Sequence, residues 1–264
     1  MVKADPVGVY SISVRGFEVE DLLVWANENA IPFLHLRGGP RGVDLVNRSP
    51  GQLEHWRRVA RHSVPVTGVT ADVDLADLVT GDEPTRRAAW EQVRQLCAAA
   101  HRLGARWVRL LARAPLTRAH ALPSDPVLPT ASLPLLVELH HPRWLDPDAF
   151  TALVALMRRH RGVRLLADTA QLGAALAGGG DRGIAAAVLD WSRVVHLSDD
   201  GTGLTHPERE EIATLAARRV AQGRAMEVAL EWTGTDRSPR VCLDRYRSAL
   251  AWWARVRART GATR

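Results

Sequence analysis

Short apolar runs recur along this chain roughly every 30 residues, the length of one strand plus one returning helix. The clearest are Leu-Val-Glu-Leu-His (136 to 140), Leu-Leu-Ala-Asp-Thr-Ala-Gln (165 to 171), Val-Val-His-Leu-Ser-Asp (194 to 199) and Val-Ala-Leu-Glu-Trp (228 to 232). With the weaker runs they give eight strand candidates, at 8–14, 31–36, 64–70, 105–111, 134–140, 162–168, 192–197 and 226–232. A strand that must reach a parallel neighbour needs a crossover helix, so repeated strand–helix units imply a parallel sheet.

The helix signals fall between the runs. Ser49-Pro50-Gly51-Gln52 opens a helix with a hydroxyl cap, a proline at the first position and a glutamine at the third. Pro84 opens a longer one that stops at Gly104, with Trp90, Val93, Cys97 and Ala100 along one stripe. Asp146-Pro147 starts the next, which carries Phe150, Leu153, Val154 and Met157 on one face. Thr205-His206-Pro207-Glu208 reads as a capping box, and Ser238-Pro239 starts the last helix. One unit is irregular. Residues 112–133 hold Pro115, Pro123, Pro126 and Pro129 and no helical period. Glycines at 178 to 180 divide the sixth helical region. Eight such units in 264 residues predict a single domain, 1–264, folded as a (β/α)8 barrel with a degenerate or missing fourth helix.

Composition narrows the chemistry. The formal charge is +6, which raises the question of a nucleic-acid partner. The arginines are scattered along helices and form no compact basic block, which argues against one. Lys3 is the only lysine, so neither a Schiff-base enzyme nor a P-loop is expected. Cys97 and Cys242 form no motif and read as buried thiols in helices. No apolar run approaches the ~18 residues of a membrane span and no secretory pattern opens the chain, so a cytoplasmic protein with no membrane partner is expected.

Four of the strand-like runs end in Glu138, Asp168, His196 and Glu231. In a barrel the inward side chains at strand carboxyl ends converge over the axis, where such folds carry their active sites. Three carboxylates and one imidazole make an oxygen-rich site suited to one divalent ion: Mn, Mg, Co, or a Zn left with open positions.

These residues resemble the xylose isomerase-like superfamily of TIM barrels. It spans sugar isomerases, ketose 3-epimerases, inosose dehydratases, 3-dehydroshikimate dehydratases and apurinic endonucleases. The family pattern is a Glu ending strand five, an Asp ending strand six, a His before a polar-Asp pair on strand seven, and a Glu ending strand eight. Glu138, Asp168, His196 (in His196-Leu197-Ser198-Asp199) and Glu231 match it. The resemblance implies that these four bind one divalent cation and that Glu138 and Glu231 exchange a proton with a substrate carbon. Two departures follow. The family commonly places a His three residues after the strand-six Asp, where this chain has Gln171, which can hydrogen-bond but cannot shuttle a proton. The run from Val64 to Thr70 lacks the histidines that apurinic endonucleases need for a three-metal cluster.

Other residues are candidates for contact with substrate. His35 and Arg37 lie on one face near the end of strand two, where a guanidinium could hold a carboxylate, phosphate or hydroxyl group. His140, Gln171 and His206 are placed near the same mouth. Asp199, beside the expected metal-bound His196, is read as orienting it from outside the ligand set. The expected activity is a metal-dependent isomerisation or epimerisation of a small polyhydroxy or hydroxy-keto compound through an enediolate. A dehydratase or lyase on the same metal site is one alternative. A DNA-lesion endonuclease and a non-catalytic barrel that serves as a binding protein are two more. The expected partner is a small molecule rather than nucleic acid. The oligomeric state is left open, a homodimer being one option.

Overall fold

Eight parallel strands close into a barrel in chain order, with the eighth paired back to the first. The coordinates are a computed structural model and describe residues 6–116, 128 and 133–261. The strands are β1 (Val7–Tyr10), β2 (Leu34–Arg37), β3 (Val66–Asp74), β4 (Val108–Ala112), β5 (Leu135–Leu139), β6 (Val163–Asp168), β7 (Ser192–Asp199) and β8 (Glu227–Trp232). The helices are α1 (Val19–Glu28), α2 (Pro50–His62), α3 (Leu75–Val79), α4 (Glu83–Leu103), α5 (Pro147–Arg159), α6 (Thr169–Ala177), α7 (Arg182–Trp191), α8 (Pro207–Ala221) and α9 (Pro239–Gly261). The (β/α)8 architecture expected from the spacing is therefore present. The expectation of a degenerate fourth helix falls mostly on 117–127 and 129–132, outside the described residues.

Each strand is buried on both faces, which is why the runs read as continuous rather than alternating. The alternation is still there, hidden in which core each residue joins. Leu136, Leu166 and Val194 turn inward and pack with Trp107 as a separate plug inside the barrel. Their neighbours Leu135, Val137, Leu165 and Val195 turn outward into the large core shared with the helices. Side chains two apart on a strand share a face, so Glu138, Asp168 and His196 stand one layer above Leu136, Leu166 and Val194. The plug excludes water from below the polar layer.

Glycine makes the plug possible at Gly68. A Cβ there would lie 1.9 Å from the Trp107 indole, so only glycine admits the ring. β3 runs past its expected end at 70, with a register shift against β4 between Thr70 and Asp74. The irregularity re-aims the strand end and presents Asp72 at the mouth.

Helix ends follow their sequence signals in part. The Ser49 hydroxyl accepts from the Gln52 amide and Asp82 accepts from Thr85, while Gly104 takes the left-handed conformation (φ 98°) that closes α4. The Thr205 capping box does not form. His206 is the cap residue, makes no cap hydrogen bond, and pairs with Glu208 at 2.8 Å. On α4 the inward stripe is completed by Ala89, four residues before Val93, and Trp90 is 39% exposed. Cys97 and Cys242 are buried free thiols, and burial pushes both up to about 12. Among the described residues no helix is long and apolar enough to cross a membrane.

Candidate active site

β5 to β8 deliver four ligand-type side chains to one point at the carboxyl mouth of the barrel. One nitrogen or oxygen atom from each of Glu138, Asp168, His196 and Glu231 lies within 4.8 Å of the other three. Strand register explains the convergence. Asp168 pairs with His196, and Ser198, two residues on, pairs with Glu231. Asp168 is also the cap of α6, where one oxygen accepts the Gln171 amide at 2.8 Å and the other accepts the Ser198 hydroxyl. The carboxylate is thereby fixed by a helix end and by the neighbouring strand.

The charges at this point are unbalanced. Glu138 sits 2.8 Å from the Arg109 guanidinium and 3.0 Å from His140. Burial alone would raise its carboxyl, but Arg109 and His140 more than offset this and hold it at about 2. Among the described residues Asp168 and Glu231 have no such counter-ion. Burial, and then repulsion from the other carboxylates, pushes Asp168 up to about 7 and Glu231 up to about 8. Burial lowers His196 to about 4, so its imidazole is neutral. If all three carboxylates are ionised, Arg109 is the one buried guanidinium to meet them among the described residues, which leaves a deficit of two positive charges.

That deficit, with four donors of the right type, fits a divalent cation. Arg109 Nε, Glu138 Oε2 and His140 Nε2 form a buried ionic cluster at 2.8 and 3.0 Å, so Glu138 enters the site as a charged carboxylate.

The other expected residues divide. His140 faces the cluster through Glu138. Arg37 is at the mouth but holds Asp72 at 3.2 Å, beside the Arg41–Asp72 pair at 2.6 Å. His35 is fully buried below the cluster, where its Nδ1 lies 3.1 Å from His196 Nε2 and its Nε2 3.1 Å from Glu227. Gln171 is exposed in the first turn of α6 and engages Asp168 through its backbone. His206 is 54% exposed and held by Glu208.

Asp199 requires a correction. It does not orient His196. Its carboxylate accepts the amides of Gly201 and Gly203 at 2.9 and 3.0 Å and faces Arg245 at 3.5 Å. Strand alternation is the reason: Asp199 and His196 point to opposite faces of β7. The group that touches His196 from behind is His35.

Arg109, Tyr10 and Glu227 also build the site. Tyr10 stacks on His196 with centroids 5.1 Å apart and bonds Thr70 at 2.6 Å. Arg109 donates to the Ala71 carbonyl at 3.1 Å and reaches Tyr10 at 3.4 Å. An arginine inside the apolar run of β4 was a visible signal for the first; nothing local marks the other two.

No protein-family model and no curated protein matches this sequence. Solved structures do match by shape. An L-ribulose 3-epimerase superposes with a TM-score of 0.70 at 15% identity, covering 97% of this chain and 96% of its own. A xylose isomerase domain-containing protein from Salmonella typhimurium LT2 gives 0.66 at 13% identity, covering 96% and 99%. A xylose isomerase-like TIM barrel protein from Mycobacterium smegmatis, in complex with magnesium, gives 0.62 at 16% identity, covering 97% and 100%. At these identities the likeness speaks for architecture, and the chain has the fold of the xylose isomerase-like TIM barrels.

Proposed function

We propose that this protein is a metal-dependent isomerase or epimerase of a small polyhydroxy or hydroxy-keto compound. The observation that carries the reading is the convergence of Glu138, Asp168, His196 and Glu231 at the carboxyl mouth of the barrel. A 3-epimerase and a magnesium-bound barrel among proteins of this shape support it.

Glu138, Asp168, His196 and Glu231 would hold the cation. When bound, the cation supplies Lewis acidity to adjacent oxygens of a substrate carbonyl and hydroxyl. The proton chemistry belongs to the protein. Glu138 comes from β5 and Glu231 from β8, so the two carboxyl groups approach a bound substrate from different sides. One takes the carbon-bound proton and the other returns one. Arg109 and His140 keep Glu138 in its charged form, the form a base requires. The Leu136, Leu166 and Val194 plug keeps bulk water from reaching the centre from below. Loss of hydroxide in place of a returning proton would make the same parts a dehydratase.

The test is turnover of candidate ketoses and keto acids in D2O with the Mn²⁺-loaded protein. Deuterium at the reacting carbon is expected, with loss of turnover in Glu138→Gln and Glu231→Gln. Full activity in both variants overturns the two-glutamate mechanism. Salt-dependent duplex binding with a steep slope would favour the endonuclease reading instead.

A further inference from the structure

A line of hydrogen-bonded groups runs down the inside of the barrel from the candidate metal centre to the opposite mouth. His196 Nδ1 meets Glu231 at 2.7 Å, and His196 Nε2 meets His35 Nδ1 at 3.1 Å. His35 Nε2 meets Glu227 at 3.1 Å, and Glu227 accepts from the Thr67 hydroxyl at 2.7 Å and from Arg106 at 2.5 Å. We propose that Glu227 is a positioning residue which, through His35, fixes His196 in the tautomer that leaves Nδ1 bare as a cation ligand. The proposal rests on the metal-site reading above.

The chemistry of each link decides the next. A carboxylate held by an arginine and a hydroxyl donor only accepts, so His35 must carry its proton on Nε2. Both imidazoles are fully buried, where the neutral form is favoured, and a neutral ring has one N–H. His35 Nδ1 is then a lone pair, and the hydrogen at that contact comes from His196 Nε2. The remaining nitrogen, His196 Nδ1, is the one turned to Glu231 and the ligand cluster, and as a lone pair it accepts the Glu231 carboxyl hydrogen across 2.7 Å in the metal-free protein. Tyr10 stacked on the His196 ring and Trp107 edge-on to His35 at 4.6 Å hold both planes in place.

Nitrogen-15 histidine spectra of the metal-free protein read the tautomer directly. His196 is expected to show a protonated Nε2 and a bare Nδ1. A protonated Nδ1 in the wild type overturns the proposal, whatever any variant does. Glu227→Leu removes the acceptor at the far mouth. It is expected to return His196 to a mixture of tautomers and to weaken Co²⁺ or Mn²⁺ binding about 10- to 100-fold. Unchanged spectra and unchanged affinity in that variant also overturn it. If the wild type has the expected tautomer but binds no cation, the metal reading fails and the tautomer assignment stands.

A second feature stands by itself. The amino-terminal mouth opens into a cavity of about 660 Å³ whose wall carries Arg106, Arg161, Arg164, Arg193, Arg224 and Arg257, with Glu227 as the lone carboxylate among the described residues. Of these, Arg224 also faces Asp190 at 3.7 Å and Arg164 lies over the Trp191 ring. Arg161 and Arg193 have no acidic partner among the described residues, and Glu227 is already engaged by Arg106. A concave surface of one sign focuses its field on an oppositely charged ligand. Trp107, Leu136 and Met226 add an apolar wall. The geometry points to a binding site for a small multiply charged phosphate compound, separate from the carboxyl-mouth centre.

Calorimetric titration with tripolyphosphate and with ATP tests it. Saturable binding is expected, lost at high salt and weakened at least tenfold by the double variant Arg161→Ala, Arg193→Ala. Tighter binding of ATP than of tripolyphosphate would assign the apolar wall to a base. Absence of binding by both, or binding unaffected by the double variant, overturns the site.

Discussion

Arg109 Nε stands 2.8 Å from Glu138 Oε2, with the two side chains 7% and 2% exposed. This pair sets the electrostatics of the whole mouth, because it gives one of three clustered carboxylates a fixed cation and leaves the other two without. Removing one member of a buried pair strands the other charge, at about 3–5 kcal/mol. Arg109→Met is expected to lose stability on that scale in urea unfolding, with part of the loss recovered by Mn²⁺. A change below about 1 kcal/mol without metal would contradict it.

The pH dependence of the metal-free protein has a definite sign. Burial and like-charge repulsion push Asp168 up to about 7 and Glu231 up to about 8. Groups bound more tightly to protons in the folded state stabilise it below their unfolded values, and lose that contribution as pH rises through the folded ones. His140, raised by Glu138, acts in the same direction. His35 and His196, lowered to about 4 by burial, change charge below this window. The chelator-treated protein should therefore lose stability between about pH 6.5 and about pH 8.5. Denaturation midpoints that rise over that range would refute the assignment.

Cation binding should be visible as stability. A ligand present at 100 times its dissociation constant adds about 2.7 kcal/mol, or about 5–10 °C in Tm for a chain of this size. Mn²⁺ or Co²⁺ is expected to raise Tm in the wild type and to leave Glu138→Gln and His196→Ala unmoved. Elemental analysis of protein purified without chelator should follow the same order.

Asp199 separates two accounts of the strand-seven loop. Because it accepts the amides of Gly201 and Gly203, Asp199→Ala should cost about 1–3 kcal/mol and leave metal content intact. Loss of metal would restore a role in orienting His196.

Gly68→Ala tests the interior plug. The added methyl would meet the Trp107 ring at 1.9 Å. Overpacking of this kind costs about 1–3 kcal/mol, and Trp107→Leu in the same chain should relieve part of it.

The repeated strand–helix period and the polar ends of four strands were legible in the chain itself. Both are local properties: two-residue alternation fixes which side chains share a face, and proline, glycine and hydroxyl caps mark where helices start and stop. Glu138, Asp168, His196 and Glu231 could be read together because each ends a strand, and strand ends in a closed parallel barrel meet at one mouth. What the sequence could not carry was contact across the barrel. His35 reaches His196 over 161 positions, and Glu227 reaches His35 over 192. Neither pair has a spacing that marks it. The same limit explains Asp199, whose nearness to His196 along β7 suggested a partnership that strand alternation forbids. Residue type and period determined the fold and the candidate ligand set. Closure of the barrel decided which charges are compensated, because only closure brings β2, β4 and β8 side chains into one buried volume.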